Sequence, residues 1–378
     1  MKILFVTSYP LEYNTSGNIR NLGLISGLIE NGNSVSTLSP YPTDDTLFSG
    51  KLLDYPFEKR YWIGSLSKTV AIQSRNKLLL KAKAFLYKWN NAFAVYDRRR
   101  YLVKNIKEGL INEKFDIIIS SSDPKSAHLY AEKLLKIDKS ICKRWIQYWG
   151  DPFSNDISTT HSFSQNRVLK EERRLLELAS KVIYVSPFTA KELTKKYPEF
   201  SEKITFLPIP FLKKQRTEVS RKGDTVVYLG DYFSKNRNIM NLVNVFKKEK
   251  IKSAIIGNSD LAIRPTEFMI VKERLAGKEL ENLIKDVMVY TCVCNLHGSQ
   301  IPGKIYHYVD TDKPILVVID GDNQDELKEY IESFDRFYIC NNTEKSIANT
   351  LKTIFADNHK FSTPQSLEPT YIAEKFLL

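Results

Sequence analysis

Apolar positions along the chain fall into short runs. Each is long enough for one buried strand, and most are followed by a polar loop and then by apolar residues at helical spacing. Residues 2–8 (KILFVTS) open the chain as a strand. A loop with Pro10, Gly17 and Asn18 follows, and from Arg20 a helical pattern places Leu22, Ile25, Leu28 and Ile29 on one face. Gly32 ends that helix, and residues 34–38 form a second strand. Further strands are expected at 115–120 (FDIIIS), 144–149, 181–185 (KVIYV) and 204–207. Helices are expected from Lys125, over 167–179, and after Ser186-Pro187, a pair suited to cap and start one.

The second half restarts the alternation. Residues 225–229 (TVVYL) read as a strand, followed by Gly230, Asp231 and a loop with Lys235 and Arg237. A helix over 239–248, a strand over 253–256, a helix over 279–284 and a strand over 288–295 follow. Then come a glycine loop, a helix over 303–309 and a buried strand over 315–319. A helix over 326–333, a strand over 337–340, a helix over 344–355 and a tail ending in residues 371–378 complete the chain. Residues 213–224 (KKQRTEVSRKGD) are polar without periodicity, which marks an interdomain boundary. The pattern predicts an α/β protein of two doubly wound, Rossmann-like domains facing across a cleft. The N-terminal, acceptor-side domain spans 1–212, the linker 213–224 and the C-terminal domain 225–356. The tail 357–378 is expected to pack back toward the first domain.

Length agrees with this division, since 378 residues suffice for two cores. No run approaches the roughly 18 apolar residues that cross a bilayer, and the opening strand is too soon interrupted for a signal peptide. A cytoplasmic location is therefore expected. Four cysteines give no disulfide framework, and Cys292 and Cys294, with only His297 close, read as reduced core thiols rather than metal ligands. No metal site is expected.

Charge changes the picture more. The formal net charge is +12, and between Lys59 and Lys107 thirteen basic residues face a single acid, Asp97. Within that stretch residues 77–88 interleave lysines with apolar residues, and Tyr87, Trp89 and Phe93 add aromatic ones. Such a composition suits a helix lying on an anionic membrane surface; an ordinary solvated helix is the plainer alternative. No nucleic-acid-binding module is present.

Candidate chemistry concentrates at the carboxyl ends of the strands, where doubly wound sheets bind ligands. Asp151, in Gly150-Asp151-Pro152-Phe153, is placed for chemistry or for bonding a ligand, although Asp-Pro also starts turns. Gly298, Gly303 and Lys304 fit the front of a P-loop, but Ile305 stands where a magnesium-binding hydroxyl is required and Pro302 removes an N–H. The stretch remains a phosphate seat: a helix start with a lysine in its first turn. No G-x-G-x-x-G follows either opening strand, which argues against a dinucleotide oxidoreductase.

Five pieces in order carry a family resemblance: KILFVTSYP…SGNIRNLGLISGLIENGNSV, SSSDPKSAH with WGDPF, SKVIYVSPFTAKEL, YLGDYF…KNRNIMNLV and IPGKIYHYVDTDKPILVV. Together the chain resembles a GT-B glycosyltransferase of the GT4-like, bacterial surface-polysaccharide type. The resemblance implies a retaining hexosyltransferase using a UDP-, GDP- or dTDP-sugar donor and no other cofactor. The acceptor would be a lipid-linked saccharide, met at the inner face of the cell membrane through the Lys59–Lys107 region. It places the donor against Lys235, Arg237, Gly298, Gly303, Lys304 and His307, with Gly17 and Asn18 on the other side and Asp151 at the sugar or attacking hydroxyl. This chain departs from the family where glutamates are usual, at Ser299 and His307. His307 lacks a carboxylate's two acceptor oxygens. The alternatives are a non-catalytic GT-B-like partner or glycan-binding protein, and a nucleotide-sugar epimerase.

Overall fold

The computed structural model describes residues 1–42, 55–65, 93–157, 163–212, 223–275, 277–357, 359 and 361–378. The opening strand β1 (Lys2–Thr7) is buried from its second residue onward. Thr15 caps the following helix α1 (Ser16–Glu30), its side chain accepting from the backbone N–H of Asn18 at 3.1 Å. That cap starts the helix four residues before the apolar pattern does, because polar Asn18 and Arg20 are inside it and buried.

The chain divides into two units, Met1–Pro208 with Ala373–Leu378, and Ile209–Ile372. The first unit continues through strands β2 (Ser34–Tyr41), β3 (Arg60–Ser65), β4 (Phe115–Ser121), β5 (Cys142–Trp149), β6 (Lys181–Tyr184) and β7 (Ile204–Phe206). Among the described residues they form one parallel sheet in the order β3-β2-β1-β4-β5-β6-β7. Helices α2 (Ser126–Ile137), α3 (Gln165–Leu178) and α4 (Pro187–Lys196) belong to it, and Ser186 caps α4. The order reverses between β1 and β4, so the loops leaving these strands part and open a crevice at their carboxyl ends.

The second unit repeats this plan with β8 (Thr225–Leu229), β9 (Ser253–Ile256), β10 (Met269–Lys272), β11 (Val287–Val293), β12 (Ile315–Ile319) and β13 (Tyr338–Asn341). Its described strands are parallel in the order β10-β9-β8-β11-β12-β13, with the reversal between β8 and β11. The accompanying helices are α5 (Met240–Lys248), α6 (Gly277–Lys285), α7 (Lys304–His307), α8 (Gln324–Glu332) and α9 (Glu344–Ala356). Helix α10 (Pro369–Leu377) occupies what the sequence marked as a plain tail. Its end belongs to the first unit, where Phe376 meets Tyr148 edge-on with ring centroids 5.1 Å apart.

Two strands escape the sequence pattern, and both are sheet edges: β3 and β10. β3 buries only two of its residues and β10 only one, too few to stand out as an apolar run. The helix expected over 303–309 is the single turn α7. Buried Arg336 explains the early stop: its guanidinium donates to the carbonyls of Val309, Thr311 and Lys313, holding the chain after Tyr308 in a turn. Residues 66–92, including the basic 77–88 stretch, and most of the expected linker lie outside the described residues.

One buried ion pair fixes the loop that follows β5. Glu172 on α3 has no exposed surface. Its carboxylate accepts from the N–H groups of Phe153 and Ser154, the Ser154 hydroxyl, the Tyr197 hydroxyl and the Lys196 ammonium, at 2.8–3.1 Å. Replacing Glu172 with Leu strands those donors and leaves Lys196 without its carboxylate. We expect a loss of about 3–5 kcal/mol in urea unfolding, the usual cost of removing one partner of a buried pair.

Candidate functional site

At the carboxyl end of β8 the chain passes through Gly230, whose φ of +145° and lack of a side chain leave room above it. Lys304 fills that room. A Cβ on residue 230 would overlap its Cε, and its ammonium would lie 3.0 Å away. Gly257 makes the approach of β9 possible in the same way, since a Cβ there would overlap the carbonyl of Gly230. The lysine therefore crosses the end of the strand at the switch point, the position such sheets use for ligands.

Arg237 arrives from the loop after β8. Its Nε donates to the Asn295 side-chain oxygen at 3.0 Å and its Nη1 to the carbonyl of Asp231 at 3.1 Å. Asn295 in turn donates to the carbonyl of Gln300 at 2.9 Å, tying Arg237 to the 297–302 loop. Gly298 turns in that loop with a φ of +84°, where a side chain would be strained. Arg274, just past β10, reaches Asp231 at 2.5 Å, and the other oxygen of Asp231 accepts from the N–H of Asn258.

The electrostatics of this cluster are lopsided. Burial pulls the Lys304 pKa down to about 8, and Arg237 and Arg274 push it the same way. Asp231 opposes them. Cys292 could oppose them only as a thiolate, and burial holds its thiol at about 12, so it is neutral near pH 7. Among the described residues, three cationic side chains thus gather around one carboxylate, Asp231, which pairs directly with Arg274. Such a group favours an anion that carries more than one charge.

Other residues singled out in the sequence stand differently. Lys235 is exposed, and its charge acts on Asp260. Gly303 is the N-cap of α7, while half-buried His307 ends that turn and Ser299 is buried. The next residue, Tyr308, stacks on Tyr290 with centroids 4.2 Å apart, anchoring the turn to β11. Arg274 was missed: it follows an edge strand and belongs to no recognisable spacing.

In the first unit, Asn18 commits its side-chain amide to its own loop, donating to the carbonyls of Pro10 and Tyr13 at 2.7 and 2.9 Å. Gly17 lies beside the loop after β4, where a Cβ would meet the Asp123 carbonyl at 3.5 Å, an ordinary contact that does not itself require glycine. Arg20 is buried, donates to Ser121 Oγ and the Ser122 carbonyl, and lies 4.6 Å over the Tyr148 ring. Gly150 is required beneath it, because a Cβ there would overlap the guanidinium.

This framework brings Asp151 beside two other aspartates. The carboxylates of Asp123, Asp151 and Asp156 lie within 4.8 Å of one another, a spacing that could hold a metal ion. The sequence reading foresaw no such group, because its members leave different loops. Lys125 is drawn into the same cluster, paired with Asp123 and, at 2.6 Å, with Asp156. Burial raises the Asp123 pKa well above the ordinary carboxylate value against the lowering effect of Lys125.

No protein-family model matches the chain, and no curated relative does. Solved structures do match in fold. An α-glucosyltransferase in complex with UDP and a 13-mer DNA aligns with a TM-score of 0.55 at 12% identity, covering 100% of this chain and 95% of the other. Sucrose-phosphate synthase from Thermosynechococcus elongatus gives 0.53 at 14%, covering 100% and 94%. AviGT4, a glycosyltransferase of avilamycin A biosynthesis, gives 0.51 at 10%, covering 100% and 96%. The architecture is that of the GT-B glycosyltransferases, two doubly wound Rossmann-like units.

Lys125→Met should leave the aspartates repelling one another. Their folded-state pKa values then rise above the unfolded ones, so the folded protein binds extra protons as the pH falls. We expect a lower melting temperature near pH 7 and a deficit that shrinks toward pH 4. A deficit that does not change with pH would mean that Lys125 acts only through packing.

Proposed function

We propose that the protein is a glycosyltransferase taking a UDP-, GDP- or dTDP-sugar as donor, with the donor's diphosphate bound in the second unit by Lys304 and Arg237. The observation that carries this reading is the Lys304 ammonium lying across Gly230 beside Arg237, at the switch point of the second sheet. Glycosyl transfer leaves a nucleoside diphosphate, and cations already in place stabilise the charge that grows on it. A lysine whose ammonium is only just retained at neutral pH gains more from such an anion than an ordinary surface lysine does. The fold is consistent with this chemistry, and the α-glucosyltransferase that shares it is in complex with UDP.

Within the same proposal, backbone near Gly298 and Gly303 lines the diphosphate and His307 takes the ribose in place of the family's glutamate. Lys235, being exposed, has a secondary role at most. Asp151 meets the acceptor hydroxyl, and Gly17 and Asn18 shape the loop beside it. The transferred group is a hexose or related sugar, moved with retention as the GT4 resemblance implies. The acceptor is a lipid-linked saccharide of a bacterial surface polysaccharide.

Exposed Arg98, Arg100, Lys104 and Lys107 support a peripheral place on an anionic cytoplasmic membrane face. No helix among the described residues is long and apolar enough to cross a membrane.

The test is UDP affinity measured by calorimetry against pH. A UDP diphosphate is ionised throughout the range above neutrality, whereas the free protein's Lys304 loses its proton as the pH rises through about 8. Affinity should therefore hold below pH 8 and fall above it, by up to about tenfold per pH unit. Lys304→Arg keeps its charge and should flatten the profile, while Lys304→Ala should weaken binding at every pH. Absence of UDP, GDP and dTDP binding by the wild-type protein would contradict the proposal.

A further inference from the structure

We propose that Arg274 is a third phosphate-binding residue of the second unit, held ready by Asp231 and released from it when a diphosphate arrives. The inference rests on the donor reading only for the identity of the ligand; the anion site itself follows from the cluster.

Arg274 enters from the far side of β9, opposite the loop that carries Arg237, and its pairing with Asp231 brings it next to Gly230, the residue that Lys304 crosses. Its charge adds to the lowering of the Lys304 pKa after burial and Arg237. Among the described residues Asp231 gives it a counter-charge there: one carboxylate oxygen pairs with Arg274 Nη2, and the other is fixed by the Asn258 N–H. The carboxylate is thus anchored to the backbone and stays, while the guanidinium, with 54% of its side chain exposed, is free to turn. An exposed ion pair of this kind contributes little, so leaving it costs little. A phosphate offers more, since its oxygens match the planar fork of a guanidinium in a paired geometry.

Asp231 therefore performs two tasks. It offsets part of the repulsion among three cations, and it holds Arg274 beside Gly230, the residue that Lys304 crosses. When two phosphate charges enter, that first task is no longer needed, and Arg274 exchanges one anion for another.

Pyrophosphate and uridine, together with UDP, separate the possibilities by calorimetry on the full chain. Arg274→Gln should weaken pyrophosphate and UDP binding by about tenfold or more, and Arg274→Lys should recover part of that. Asp231→Asn keeps an oxygen for the Asn258 N–H but removes the competing charge, so at about pH 6, where Lys304 stays protonated, it should bind pyrophosphate several-fold more tightly. Uridine affinity should be unchanged in all three variants.

Unchanged pyrophosphate affinity in folded Arg274→Gln, or weakened affinity in folded Asp231→Asn, would overturn the inference. So would a wild-type protein that ignores pyrophosphate. Pyrophosphate binding that depends on Arg274, without UDP binding, would keep the inference and remove the donor reading.

Discussion

The second unit is organised around an ammonium group placed where a glycine has removed the side chain beneath it. Lys304 can cross the end of β8 only because residue 230 has no Cβ, and β9 can close against that same point only because residue 257 has none. Burial and two neighbouring guanidinium groups then make the charge costly to keep. The single-turn helix α7 sets the position of this lysine. Its exit is fixed by the Tyr308–Tyr290 stack and by Arg336, which gathers three carbonyls of the following turn. Packing at the end of that turn thus helps decide where the charge sits.

The first unit uses a related device for a different end. Arg20 lies buried over Tyr148 and requires glycine at position 150, as Lys304 does at 230. Its hydrogen bonds go to the end of β4, so it clamps the two loops that carry Asp123 and Asp151. The charge there is balanced by Lys125 among three aspartates, and Glu172 pins the residues just beyond. One sheet end is poor in counter-charge and suited to an anion. The other is rich in carboxylates and suited to hydroxyl groups or a cation.

Central strands were legible in the sequence because parallel strands buried on both faces read as unbroken apolar runs. Edge strands β3 and β10 were not, since burying two residues and one residue leaves no such run. Gly298, Lys304 and Arg237 could be singled out because glycines and cations beside strand ends have a local signature. Adjacent Lys235 looked equally promising, and only the backbone turn between them sends one side chain to Asn295 and the other into solvent. Arg274 and the grouping of Asp123 with Asp156 depend on which strand ends lie next to each other. No spacing along the chain encodes that neighbourhood, although Asp-Pro at the ends of two successive strands was a hint.

The most direct test of the central claim is an NMR titration of the Lys304 side chain, assigned by comparison with Lys304→Arg, in the presence and absence of UDP. The account requires a titration near pH 8 in the free protein, below the ordinary lysine value of 10.5, and a marked upward shift when UDP is bound. A lysine titrating near 10.5 in the free protein and indifferent to UDP would contradict it.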